Sequence, residues 1–187
     1  MLGLFILLCD KMNKNIIIIG ITGVGKTTVG KLVAEKLNKV FIDLDRSIEL
    51  HCGVDVATIF AIESEIGFRQ RETEELRRIV DNASDYVLSV GGGCIVKPEN
   101  RNILSLSNNI IIQLHADIEI LVHRLMKYPS KRPLFSSENN IEMEKKIIKL
   151  YEDRREAYDL ITDIKLNTST MRALQVAELA VKIIQQQ

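Results

Sequence analysis

Three cysteines in 187 residues, Cys9, Cys52 and Cys94, are too few and too scattered for a disulfide framework or a paired CxxC metal site. Their sparseness fits a reducing compartment. No stretch rich in Pro, Gly or Ser breaks the chain, and there is no internal repeat or low-complexity tract, so a linker between separate domains is not expected. An excess of one charge is missing too. Lys+Arg and Asp+Glu stand at 25 each, which leaves no electrostatic footprint for nucleic acid or an anionic membrane. The one long apolar run, Met1-Leu2-Gly3-Leu4-Phe5-Ile6-Leu7-Leu8-Cys9, is too short to span a bilayer and lacks the basic flank of a secretory signal. It reads as a disordered or loosely packed extension over residues 1–14, ahead of a cytoplasmic protein. What remains is ordinary for a globular domain: 46% hydrophobic and 27% charged, in a chain long enough to bury a core.

Strand-like and helix-like segments alternate, which predicts an α/β fold with a parallel sheet covered on both faces. Strands are expected over Asn15–Ile19, Val40–Asp43, Tyr86–Val90, Asn109–Leu114 and Asp163–Leu166. Val29, Leu32, Val33 and Leu37 share one helical face, as do Ile118, Leu121, Val122 and Leu125. Further helices are expected over Phe68–Asp81, Ile141–Tyr158 and Met171–Gln186. Residues 46–67 read as a small helical insertion within a substrate-binding region that runs to about 82. Residues 127–140 read as a mobile lid. One domain, 15–187, is expected, and a monomer, since no exposed apolar stripe calls for a partner.

Gly20-Ile21-Thr22-Gly23-Val24-Gly25-Lys26-Thr27 follows the run Ile16–Ile19 and fits the phosphate-loop pattern G-x-x-x-x-G-K-[ST] at every fixed position. Glycines there let backbone N–H groups converge on a phosphate, and the helix that follows adds its positive end. Lys26 would reach the outer phosphates, and Thr27 would sit on Mg²⁺. A nucleoside triphosphate is therefore the expected ligand.

Four further clusters carry potential chemistry. Asp43 and Asp45 stand two apart at the end of the second strand, where they would point the same way. They are either solvated strand-end acids or an Mg²⁺ and substrate-hydroxyl pair. Arg69, in Phe68-Arg69-Gln70-Arg71-Glu72, suits a carboxylate ligand, or else pairs with a nearby helix acid such as Glu72. Gly91-Gly92-Gly93 after the third strand would let a substrate lie against bare backbone. Arg132, in Lys131-Arg132-Pro133-Leu134, is either a lid arginine that meets the transferring phosphoryl group or part of a solvated basic loop. Arg154 lies among Glu152, Asp153, Arg155 and Glu156, a mixed-charge face that by itself indicates solvent.

Taken in order, these motifs resemble the shikimate kinase family from about Asn15 to the C-terminus. The phosphate loop alone is shared by many families; F-R-x-x-E together with G-G-G is far more restrictive. The resemblance implies a P-loop kinase of the nucleoside monophosphate kinase type, with a five-stranded parallel sheet in the order 2-3-1-4-5. It implies transfer of the ATP γ-phosphoryl group to the 3-hydroxyl of shikimate, with Mg²⁺ as cofactor. Gly23, Val24, Gly25, Lys26, Thr27 and Thr28 would hold ATP, with Arg124 against the adenine. Asp45 would contact the reacting diol as base, and Asp43 would support Mg²⁺ with Thr27. Arg69 and Arg154 would grip the carboxylate, with Glu72 holding them in place and Gly91, Gly92 and Gly93 as the floor. Lys26 and Arg132 would stabilise the transferring group.

Two departures stand out. Val90 replaces the family's usual threonine, and Ser89, expected on the opposite face, should not stand in for it. The late helix reads Arg154-Arg155-Glu156-Ala157-Tyr158, which leaves Arg154 or Arg155 as the ligand, with Arg154 preferred from the register of Tyr158. A gluconate-type kinase and a non-catalytic domain that senses shikimate or ATP are the competing readings.

Overall fold

A computed structural model describes residues 14–127 and 140–186. The expected extension, save Lys14, and nearly all of the expected lid, including Arg132, lie outside the described residues.

The first strand, β1 (Asn15–Ile19), is the centre of a five-stranded sheet in the order β2-β3-β1-β4-β5, with every pairing parallel. Its four isoleucines are fully buried, as expected of a β-branched strand covered on both faces. Each contributes about 1.5–3 kcal/mol by leaving water. The other strands are β2 (Val40–Asp43), β3 (Tyr86–Ser89), β4 (Asn109–His115) and β5 (Ile164–Asn167). Each lies within two residues of its predicted bounds, and the order matches the one that the family resemblance implied.

Helix α1 (Lys26–Leu37) leaves the phosphate loop and packs Val29 and Val33 into the core, with Leu32 and Leu37 partly buried beside them. It ends at Asn38, which takes the left-handed conformation (φ 55°) and returns its N–H to the last turn. The sheet is flanked further by α5 (Ile118–Met126), α6 (Asn140–Asp159) and α7 (Ala173–Gln186). Tyr158, near the end of α6, is wholly buried. A short helix α4 (Pro98–Leu104) was not anticipated from the pattern; proline at its first position marks its start.

Two helices fill the gap between β2 and β3: α2 (Leu44–Cys52) and α3 (Val56–Asn82). The second is longer than the predicted Phe68–Asp81 because it fuses two helical pieces. They meet at Ser64, whose φ of 60° and ψ of −178° are not helical. The later piece carries Phe68, Arg69 and Glu72.

Candidate active site

All five parallel strands point their carboxyl ends at one edge, which is where ligands bind in open α/β sheets. The loop after β1 is shaped by glycine: Gly23 (φ 91°) and Gly25 (φ 96°) adopt the left-handed region that other residues resist. Its lysine is turned inward, with Lys26 Nζ donating to the carbonyls of Gly20 (2.9 Å) and Ile21 (3.1 Å). A cavity of about 390 Å³ opens there, bounded by the loop, Asp43, Asp45, Ser89 and Gly91.

The two aspartates are not both on a strand, as the sequence spacing suggested. β2 stops at Asp43, which caps α2 by accepting the Arg46 N–H, and Asp45 lies in the first turn of that helix. The helical turn still delivers both carboxylates to the same cavity. Thr27 donates its hydroxyl to Asp43 Oδ2 at 2.8 Å. Two oxygen donors beside a phosphate cradle fit an Mg²⁺ ion, which keeps several waters and takes few protein ligands. Among the described residues no group of three or more His, Cys, Asp or Glu is placed to hold a metal alone.

Ser89 lies opposite Asp43 in the β2–β3 register and, with Val90 just beyond the end of β3, borders the same cavity.

Beyond the phosphate cradle lies a second arrangement, built from α3, the glycine run and α6. Arg69 donates through Nη1 to Glu72 Oε2 (2.5 Å), and through Nε (3.2 Å) and Nη2 (2.9 Å) to Glu65 Oε1. It sits over the Phe68 ring, 5.5 Å from the centroid. Arg69 and Arg154 line one cavity of about 760 Å³ together with Gly93 and Lys97. Arg154 Nη1 is 3.5 Å from where a Cβ on Gly92 would stand, whereas the exposed Arg155 turns away to Asp159. Tyr158 donates its hydroxyl to the Gly92 carbonyl at 2.9 Å, a contact the sequence reading missed.

Between the two cavities Asp45 and Glu72 face each other over Gly91. Asp45 Oδ1 and Glu72 Oε1 lie 3.1 and 3.0 Å from the position of a Gly91 Cβ, and neither oxygen has a hydrogen-bond partner among the described residues. Burial, and then the neighbouring Asp43 carboxylate, raise Asp45 above the usual carboxylate range, against the pull of Lys26 and Arg69. Glu72 is fully buried, and burial pushes it up to about 7 despite Arg69.

Arg124, the residue expected near the adenine, is anchored to Thr168, through Nη1 to the hydroxyl (2.9 Å) and through Nη2 to the carbonyl (2.5 Å). With Gly23, Gly25, Thr28 and Met171 it borders a cavity of about 460 Å³ behind the phosphate loop.

A phosphate loop at the head of a 2-3-1-4-5 parallel sheet, with an acid pair and an arginine pocket beside it, defines an ATP-dependent kinase of the P-loop class. The family model "Shikimate kinase" matches residues 22–186. The shikimate kinase of Hahella chejuensis (strain KCTC 2396) is 37% identical over 174 residues, covering 93% of this chain and 88% of that protein. Among solved structures, the shikimate kinase from Acinetobacter baumannii in complex with shikimate superposes with a TM-score of 0.84 at 32% identity, covering 94% of this chain and 95% of that one. A gluconokinase from Sinorhizobium meliloti 1021, at 16% identity and a TM-score of 0.58 over 94% of this chain and 93% of that one, shares the fold alone. The chain belongs to the shikimate kinase family.

Proposed function

We propose that the protein moves the γ-phosphoryl group of ATP to the 3-hydroxyl of shikimate, giving shikimate 3-phosphate and ADP. The observation that carries this reading is the meeting of Arg69 and Arg154 beside Gly92 and Gly93, one cavity away from the phosphate loop. A small anion with hydroxyls needs cations for its carboxylate and a base for its diol, and both are supplied in adjacent places.

Shikimate would lay its carboxylate between Arg69 and Arg154, with Glu72 holding Arg69, and its ring on Gly91, Gly92 and Gly93. Asp45 would accept the proton of the 3-hydroxyl as that oxygen forms its bond to the γ-phosphorus. The bond from the γ-phosphorus to the bridging oxygen of ADP breaks in the same displacement, and ADP leaves. The raised proton affinity of Asp45 suits a group that must take up a proton. ATP would lie along Gly23, Val24, Gly25, Lys26, Thr27 and Thr28, with its base against Arg124. Lys26 would exchange its loop carbonyls for phosphate oxygens, and Arg132 would add charge from the lid. Thr27 and Asp43 would hold Mg²⁺, which neutralises charge on the phosphate oxygens when bound. The reaction would run in the cytoplasm, with the protein acting as a monomer.

The test is ADP release with ATP and Mg²⁺ in the presence of shikimate, gluconate or a nucleoside monophosphate panel. Saturable turnover with shikimate alone is expected. Turnover with gluconate instead would discard the substrate. ATP binding with no turnover on any acceptor would replace catalysis by sensing.

A further inference from the structure

Arg69 is held from three sides, and the three restraints are not alike. Glu72, wholly buried, grips Nη1 and has nowhere to go. Gly93 presents bare backbone under the guanidinium plane. Glu65 is different: its side chain is 66% exposed, yet its Oε1 takes both Nε–H and Nη2–H of Arg69. It hangs at the rim of the cavity that Arg69, Lys97 and Arg154 line, one residue after the non-helical joint at Ser64.

The Nε/Nη2 edge is one of the two faces on which a guanidinium accepts a planar carboxylate. Glu65 thus makes, from within the chain, the contact that an anionic ligand in this cavity would make. An exposed pair at i,i+4 spacing stabilises little and is readily exchanged for another partner.

We propose that Glu65 is a placeholder for the substrate carboxylate: it occupies the open edge of Arg69 while the site is empty and swings out when an anionic acceptor binds. In the empty enzyme it keeps the guanidinium flat on Gly93 and aimed at the cavity. On binding, its departure costs affinity, which the ligand's own carboxylate offsets by taking the same edge of Arg69; a ligand without a carboxylate does not displace it. It is a positioning residue and takes no part in phosphoryl transfer.

This inference rests on the assignment of Arg69 to the shikimate carboxylate, and the experiment separates the two. Calorimetric binding of shikimate and of ADP is measured for the wild-type chain and for Glu65→Gln, Glu65→Ala and Arg69→Lys, with steady-state KM and kcat for shikimate. The expected result is a two- to fivefold tighter Kd for shikimate in both Glu65 variants, seen in KM rather than kcat. ADP affinity should not move. Arg69→Lys should weaken shikimate. The affinity for the methyl ester of shikimate, which lacks the charge, should rise less than that of shikimate itself when Glu65 is removed. Weaker or unchanged shikimate binding in the Glu65 variants, with Arg69→Lys impaired, overturns the placeholder and leaves the site assignment standing. Unimpaired shikimate binding in Arg69→Lys overturns both.

Discussion

Arg69 lies flat on Gly93: a Cβ added to that glycine would stand 2.7 Å from Cζ and 2.9 Å from Nη1, nearer than such atoms approach. Gly93→Ala must therefore lift the guanidinium off the floor. The clash meets the free end of a flexible side chain, so the cost to stability is small. The cost to binding is not, because the fork no longer points where it did. A loss of roughly tenfold or more in shikimate affinity with ADP affinity intact is expected, read by calorimetry. An equal loss for both ligands would remove Gly93 from the acceptor side.

Asp45→Asn keeps the shape of the side chain and removes its ability to accept a proton. Turnover should fall by about 100-fold or more while ATP still binds. Near-normal turnover would show that Asp45 is not the base.

Glu72 binds its proton more tightly in the folded chain than in the unfolded one, because burial raises it to about 7 from an ordinary value of 4.5. Between those limits the native state holds the extra proton. The stabilisation is complete below about 4.5 and is lost as pH rises through about 7. Urea unfolding at pH 5.5 and pH 8 should thus show the wild-type chain losing stability at the higher pH through this group. Glu72→Gln cannot ionise and should flatten that slope, and an unaltered slope would place the titration elsewhere.

Ser64 occupies a backbone region that is almost reserved for glycine, at a cost of about 1–3 kcal/mol. Ser64→Gly relieves it, less the extra chain entropy of glycine. A net gain of about 1 kcal/mol is expected, which moves Tm upward by about 2–4 °C in a thermal melt. A lower Tm would mean that the serine side chain stabilises the joint in a way its dihedrals do not reveal.

Much of this architecture was legible in advance, and the residues show why. Ile16–Ile19 declare a buried strand by β-branching alone, and the phosphate loop is a local backbone motif whose glycines can be read without a fold. The positions that escaped are those set by neighbours distant in the chain. That Ser89 borders the phosphate cavity beside Asp43 depends on its register with β2, forty-six residues earlier, which its own neighbours in the chain do not reveal. The i, i+2 spacing of Asp43 and Asp45 suits a strand as well as it suits a cap and the first helical turn, and the fold takes the second. Glu65 and the Tyr158 hydroxyl drew no notice because an acid and a phenol on helices are ordinary until their partners, Arg69 and the Gly92 carbonyl, are in place.

The alternation of strands and helices, the phosphate cradle and the order of the motifs that mark the family can all be read along the chain, since each depends on residues close in it. Which side chains meet at the candidate site follows from three-dimensional packing. The parallel sheet brings Asp45, Gly91, Glu72 and Arg154 together from four separate segments, and close packing of their charges against bare glycine sets the proton affinity of Asp45 and Glu72 and the pose of Arg69. Those properties arise from burial and from pair distances, which the order of residues along the chain does not contain.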